Sequence, residues 1–231
     1  MDALDLDRGT VQAQMDLAAT ILREHSSTPI VHCIGNHDVW GWNRSDRDRN
    51  GNDPRFGKGW WLEWTGYSST YFSFDRAGWH FVFLDSIHEL PTRGYEARLS
   101  ETQWAWLQSD LDKVPESTPT CIVSHVPFLH AGAQFFGPAE RSGRAWNIPG
   151  TLIHLDGRRI KDLLSRHPNV KLCLSGHIHM SSRLNYNHTS HVSHGAVSGA
   201  WWNGDMQETP AGYGIVDLHA DGRFNSRFET Y

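Results

Sequence analysis

The chain has 231 residues, a formal net charge of -5 and 39% hydrophobic residues. That length can bury a sizeable core, and the composition is that of a globular protein with no apolar run long enough to cross a bilayer. Acidic and basic residues are interspersed, so no broad basic field exists to hold a nucleic-acid scaffold.

In chain order, apolar residues at Val11, Met15, Ala18, Ile21 and Leu22 recur at helical spacing, and Ser26-Ser-Thr-Pro29 ends the pattern. Pro29-Ile-Val-His-Cys-Ile34 is a β-branched run that reads as a buried strand leading into Gly35-Asn-His-Asp38. Residues 39 to 66 read as a long loop in which Trp40, Trp42, Trp60, Trp61 and Trp64 surround a polar stretch from Asn43 to Gly59. These indoles either stack on the organic part of a substrate or staple the loop to the body or to another subunit; stapling or contact is the preferred reading. Tyr71-Phe-Ser-Phe74 and Trp79-His-Phe-Val-Phe-Leu84 read as a hairpin, with Asp85-Ser86 ending its second strand. Ser100-Glu-Thr-Gln103 has capping-box spacing and opens a helix with Trp104, Leu107 and Leu111 on one face.

Thr120-Cys-Ile-Val123 is a further strand, running into Ser124-His125-Val-Pro127. An irregular segment from Phe128 to Gly150 holds Arg141 and Arg144, either of which could grip a phosphate or be solvated. A helix over 157–167 and a strand Val170-Lys-Leu-Cys-Leu174 follow, and the strand ends in Ser-Gly-His-Ile-His-Met180. Gly176 is expected to turn the backbone sharply so that His177 and His179 leave the turn together, with ring nitrogens available to a divalent metal. Alternation of helix and strand, with polar groups at strand ends, indicates an α/β layered fold. Four short strands between Arg183 and Thr230 complete it, and nothing resembling a linker divides residues 1–231, which are read as a single domain. His188, His191 and His194 are read as ordinary strand residues. Asp85 ends its strand, and His88 and His130 could face the cleft.

Cys33, Cys121 and Cys173 are odd in number and lie in apolar runs, as buried free thiols do. The N-terminus has neither a basic segment nor an apolar core of the signal-peptide kind. Together these fit a cytoplasmic location, and the acceptor patterns at Asn43 and Asn187 are read as chance.

Gly35-Asn-His-Asp38, Ser124-His125 and Gly176-His-Ile-His179, in this order and at this spacing, resemble the calcineurin-like metallophosphoesterase family. The resemblance runs over nearly the whole chain. It implies a four-layer α-β-β-α sandwich of two mixed sheets flanked by helices, with a two-metal centre at strand ends. It also implies that Asn36, His125 and His177 ligate one metal and His179 the other. His37 would be the proton donor or charge stabiliser for the leaving oxygen, and Asp38 its orienting partner. Metal identity stays open among manganese, iron and zinc. The family begins with an Asp-x-His strand and a Gly-Asp motif. Here the former is absent, so the first strand unit is expected to be missing, and Asp2 in Met1-Asp-Ala-Leu-Asp5 takes the place of the bridging carboxylate.

The resemblance therefore implies a metal-dependent hydrolase of phosphomonoesters or phosphodiesters that attacks with a metal-bound hydroxide. Its substrate is a small phosphate ester, and the site holds one metal tightly where the family holds two. A homo-oligomer is expected to cover the sheet edge left open by the missing strand. The alternative is a catalytically impaired, N-terminally shortened member acting as a metal-binding or assembly module.

Overall fold

The computed structural model describes residues 6–42, 52–137 and 139–231. In chain order its elements are α1 (Arg8–His25), α2 (Gly59–Thr65), β1 (Phe72–Arg76), β2 (Trp79–Leu84), β3 (Ile87–Glu89), β4 (Tyr95–Ala97), α3 (Glu101–Leu111), β5 (Thr120–Ser124), β6 (Glu140–Ser142), β7 (Ala145–Asn147), α4 (Gly157–Leu164), β8 (Val170–Ser175), β9 (Ser182–Tyr186), β10 (Thr189–Ser193), β11 (Gly212–Leu218) and β12 (Phe224–Thr230). Six strands form one mixed sheet in the order β1-β2-β5-β8-β10-β9. Its four central strands run parallel, and their antiparallel hairpin partners β1 and β9 form the two edges.

The register explains the layering. Val82, Ile122 and Cys173 align across β2, β5 and β8 and face α3 and α4, where Trp104, Leu107, Leu111, Ile160, Leu163 and Leu164 cover them. Residues one step along, Cys121 and Leu172 with Trp79 and Val192, face the opposite way and are covered by Val216, Leu218 and Phe224 of the β11–β12 ribbon. Strand side chains alternate between faces, so each central strand serves two cores and reads as a nearly continuous apolar run. The expected α/β layering is present as helices, a six-stranded mixed sheet and a two-stranded sheet.

The run Pro29–Ile34 forms no strand. Among the described residues it has no ladder partner, and Ile30 and Val31 are 41% and 39% exposed. β-Branched residues favour an extended backbone, but a strand exists only where a neighbour supplies the hydrogen bonds. The segment is held in other ways: the Tyr67 hydroxyl accepts from His32 N at 3.3 Å, and the Cys33 thiol lies 3.5 Å from the Leu84 carbonyl.

The tryptophan-rich stretch is a staple, as expected. Trp40, Trp42, Trp60 and Trp61 are buried. Trp40 and Trp60 meet edge to face at 5.3 Å and pack on Val11 and Met15 of α1, while Trp42 and Trp61 pack with Ile34, Val39 and Val126. Lys58 bonds the Asp85 carboxylate and the Ile87 carbonyl, each at 2.5 Å. Gln103 does not complete a reciprocal capping box. Ser100 accepts from Gln103 N, but the Gln103 amide is turned to the backbone N–H and carbonyl of Asp85 at 2.9 and 2.8 Å.

One clasp is pH-sensitive. His80 on β2 is held between Asp75 on β1 at 2.7 Å and Asp110 on α3 at 3.0 Å, and Asp110 also accepts from Ser73. The bond to Asp110 holds the His80 pKa above its usual value despite burial. A raised folded-state pKa contributes stability below the unfolded value and loses it as pH rises through the folded one. Replacing His80 by Gln is therefore expected to cost about 1–2 kcal/mol near pH 6 and progressively less above pH 7, read from urea unfolding midpoints. A cost independent of pH would refute the charged clasp.

Candidate metal centre

β5 and β8 are neighbours and parallel, with Val123 opposite Leu174, so the chain leaves both strands at the same level and on the same side of the sheet. The backbone bond from Gly176 N to the His125 carbonyl, 3.1 Å, extends that pairing one step past the strands. His125 and His177 are thereby brought ring to ring, with centroids 4.9 Å apart. The tight turn Asn36–Asp38 enters from the third side, bracketed by buried Ile34 and Val39.

The three meet at one point. Asn36 Oδ1 lies 2.8 Å from His125 Nε2 and 3.2 Å from His177 Nδ1, and the two ring nitrogens are 3.1 Å apart. His177 Nε2–H donates to the Thr151 carbonyl at 2.9 Å, so His177 Nδ1 carries a lone pair. An amide oxygen and two ring nitrogens thus converge with at most one proton, on His125, to share among them. Lone pairs crowded on one point suit a cation, and their oxygen and imidazole donors fit a transition metal. Burial pushes the His125 pKa well below its ordinary value and that of His177 to about 4, so both rings are neutral and able to donate electron pairs near pH 7.

His179 takes no part in these three contacts. Its Nδ1–H donates to the Gly199 carbonyl at 2.7 Å, which leaves Nε2 with the lone pair. His179 and His37 are both close enough for their charge to lower the His125 pKa. The bond given by Asp38 is to the backbone: its carboxylate accepts from Gly35 N at 2.8 Å and so shapes the loop carrying Asn36 and His37. Burial raises the Asp38 pKa. Asp2 lies outside the described residues. Among those described, no three His, Cys, Asp or Glu side chains gather in a metal-holding group, the Asn36 amide being the third member here.

The glycine reading needs correction. Gly176 is not among the residues with positive φ; His177 and His179 are, at 68° and 61°, and they make the turn. Bulky residues adopt this region only where the surroundings impose it. Here the bonds to Thr151 and Gly199 tie down both imidazoles. Gly35 is the constrained glycine, because a Cβ there would come within 3.0–3.1 Å of three atoms of the His125 ring.

Three other histidines are bonded elsewhere, while His191 keeps its Nδ1 buried without a hydrogen-bond partner. His188 meets the Leu164 carbonyl, His194 meets Ser226, and His130 ties its loop to the Met180 carbonyl. Arg141 is exposed and bonds Gly143. A row unread in the sequence runs from Ser124 to His154 at 3.4 Å and from His154 to Asp156 at 2.9 Å. It resembles a nucleophilic triad, but Ser124 and His154 are 2% and 4% exposed and the serine hydroxyl donates to the Val126 carbonyl. The row fixes the bend that carries His125. No local pattern in the sequence marks it, nor the Thr151 and Gly199 carbonyls, since a backbone acceptor leaves no residue signature.

A calcineurin-like phosphoesterase model matches residues 5–181. The chain belongs to that family. It is similar to a 3',5'-cyclic-nucleotide phosphodiesterase of Nostoc sp., with 28% identity over 162 residues, 68% of this chain and 54% of the relative. It also resembles purple acid phosphatase 21 of Arabidopsis thaliana, with 28% identity over 181 residues, 76% of this chain and 36% of that one. The chain thus spans about half or less of the length of these relatives. Its fold is shared with a purple acid phosphatase from yellow lupin seeds (TM-score 0.55, 17% identity, 81% of this chain and 34% of that chain). A dimetal phosphatase from Danio rerio shares it too (TM-score 0.53, 17% identity, 81% and 67%).

The two glycines should part company under mutation. Gly35→Ala is expected to displace His125 and weaken manganese uptake about tenfold in calorimetry, the scale of a disturbed ligand support. Gly176→Ala, whose methyl would meet His125 Nδ1 at an ordinary 4.0 Å, should leave thermal stability equal or raise it by about 0.4–1 kcal/mol through the unfolded chain. Equal metal affinities for both variants would refute the distinction.

Proposed function

We propose that the chain is a metal-dependent phosphoesterase acting on small phosphomonoesters or phosphodiesters. The observation that carries this reading is the meeting of Asn36 Oδ1, His125 Nε2 and His177 Nδ1 within 3.2 Å of one another, with at most one proton among them. These three would hold a divalent cation, manganese, iron or zinc. When bound, the cation supplies Lewis-acid polarisation of a phosphoryl oxygen and makes water more acidic. His179, whose Nε2 keeps a lone pair because Nδ1–H is given to the Gly199 carbonyl, would contribute to a second, more weakly held cation. His37 stands in the same group and delivers a proton to the leaving oxygen. Asp38 keeps the Gly35–Asp38 loop in shape for that transfer. Asp2 would supply the carboxylate shared between the cations in this reading.

The second reading is a metal-binding or assembly module with impaired catalysis, and one observation favours it: among the described residues no three His, Cys, Asp or Glu side chains gather in a metal-holding group. In either case we propose a homo-oligomer that covers an exposed edge of the sheet. No helix among the described residues is long and apolar enough to cross a membrane.

Elemental analysis combined with hydrolysis of para-nitrophenyl phosphate and its bis-ester, with and without manganese, separates the two. The phosphoesterase takes up metal and turns over, and Asn36→Ala and His177→Ala each lower turnover by more than about 100-fold, as loss of a ligand should. Bound metal with background turnover even in excess manganese would favour the module.

A further inference from the structure

Trp40, Trp42, Trp60 and Trp61 are buried, whereas Trp146, Trp201 and Trp202 are exposed. Trp201 and Trp202 are 49% and 75% exposed, in a loop between β10 and β11. The loop is closely bonded to itself. Ala200 N donates to the Gly204 carbonyl at 2.9 Å, Trp202 N to the Ser198 carbonyl at 2.7 Å, and a Cβ at Gly199 would lie 2.5 Å from the Gly204 oxygen. Both tryptophans have positive φ, 53° and 67°. Indole-bearing residues rarely adopt that region, and they stay there only where the surrounding structure imposes it.

The strained conformation delivers the Trp201 ring to the metal centre. It lies over His179, with centroids 4.8 Å apart and planes tilted by 38°, and the edge of Phe136 approaches it at 6.4 Å. Two residues before it, the Gly199 carbonyl fixes the His179 ring. Met206 of the same loop packs with Phe136 on the cluster of Leu152, Ile178 and Met180 beneath the histidine turn. One side of the indole is thus braced, half of the residue stays open to solvent, and the ring stands one imidazole away from the proposed phosphate position. A fixed aromatic surface at that distance gains little for phosphate itself. It suits a flat ring attached to the phosphate through a short link, because stacking needs only a π-face.

We propose that Trp201 is a specificity-determining platform that stacks on the aromatic ring of the substrate, so that the preferred substrates are phosphate esters of aryl groups or nucleosides. This rests on the phosphoesterase reading above. Trp202, which has no described ring contact, is not part of the platform.

The test pairs ligands that differ only in the ring. In the manganese-loaded protein, phenylphosphonate is expected to bind about tenfold more tightly than methylphosphonate by calorimetry, the scale of one stacked ring. Trp201→Ala should abolish that preference, Trp201→Phe retain most of it, and Trp202→Ala keep it. In turnover, Trp201→Ala should lower the ratio of kcat/KM for adenosine monophosphate over ribose 5-phosphate, chiefly through KM. A preference seen with the phenyl pair but not with this nucleotide pair assigns the platform to small aryl esters. Phosphonates that bind alike, or not at all, overturn the platform. So does a Trp201→Ala protein whose manganese content falls, since Trp201 would then only support His179. A phenyl preference without turnover of any ester leaves the platform standing and refutes the phosphoesterase reading.

Discussion

The parallel pairing of β5 with β8 is the constraint on which the rest depends. Two parallel neighbours in register must release their chains at the same height, and Val123 opposite Leu174 sets that height. The first residue beyond β5 is His125, and the second beyond β8 is His177, so the ladder alone brings together residues 52 apart in the chain. Slipping the register by one residue would turn every side chain of one strand to the other face, moving Ile122 or Cys173 out of the core that fits it and into the one under the β11–β12 ribbon. The same apolar alternation that makes the core therefore also fixes the site. Loss of core and loss of site go together.

The third participant is placed by different forces. Asn36 does not follow a paired strand. Its loop is held from both flanks by apolar burial, Ile34 before it and Val39, Trp40 and Trp42 after it. Those tryptophans, with Trp60 and Trp61, make a packed wall of the described residues on either side of the polar stretch. Large aromatic rings bury much apolar area with few rotatable bonds, so a few of them can anchor a long connection. Asp85 anchors the same wall from inside, taking Lys58 and the Thr70 hydroxyl on one oxygen.

The electrostatics of the site follow from burial. Burial disfavours the protonated forms of His125 and His177, and repulsion from neighbouring histidine charges adds to this. Three groups able to donate electron pairs are therefore kept neutral and close together by hydrophobic packing that stabilises the remainder of the molecule. Polar convergence of this kind is costly unless something positive binds it. The direct bond between His125 and Asn36 relieves part of that cost.

Much was legible in the sequence. Helices α1, α3 and α4, the hairpin, the strands β5 and β8, and the histidine and asparagine motifs all rest on local spacing, which a sequence displays directly, whereas α2 lies in the stretch read as a loop. The sequence also shows which residues can donate to a metal. It could not show that Pro29–Ile34 lacks a partner, because pairing depends on what lies alongside and not on β-propensity. Nor could it show that Gly35 rather than Gly176 is sterically pinned, since that depends on where the His125 ring comes to rest. Residue identity thus determined the chemistry available to this chain. Tertiary structure decided which nitrogen of each histidine is free, which tryptophans are buried and which one stands beside His179, because these follow from contacts between residues far apart in the chain.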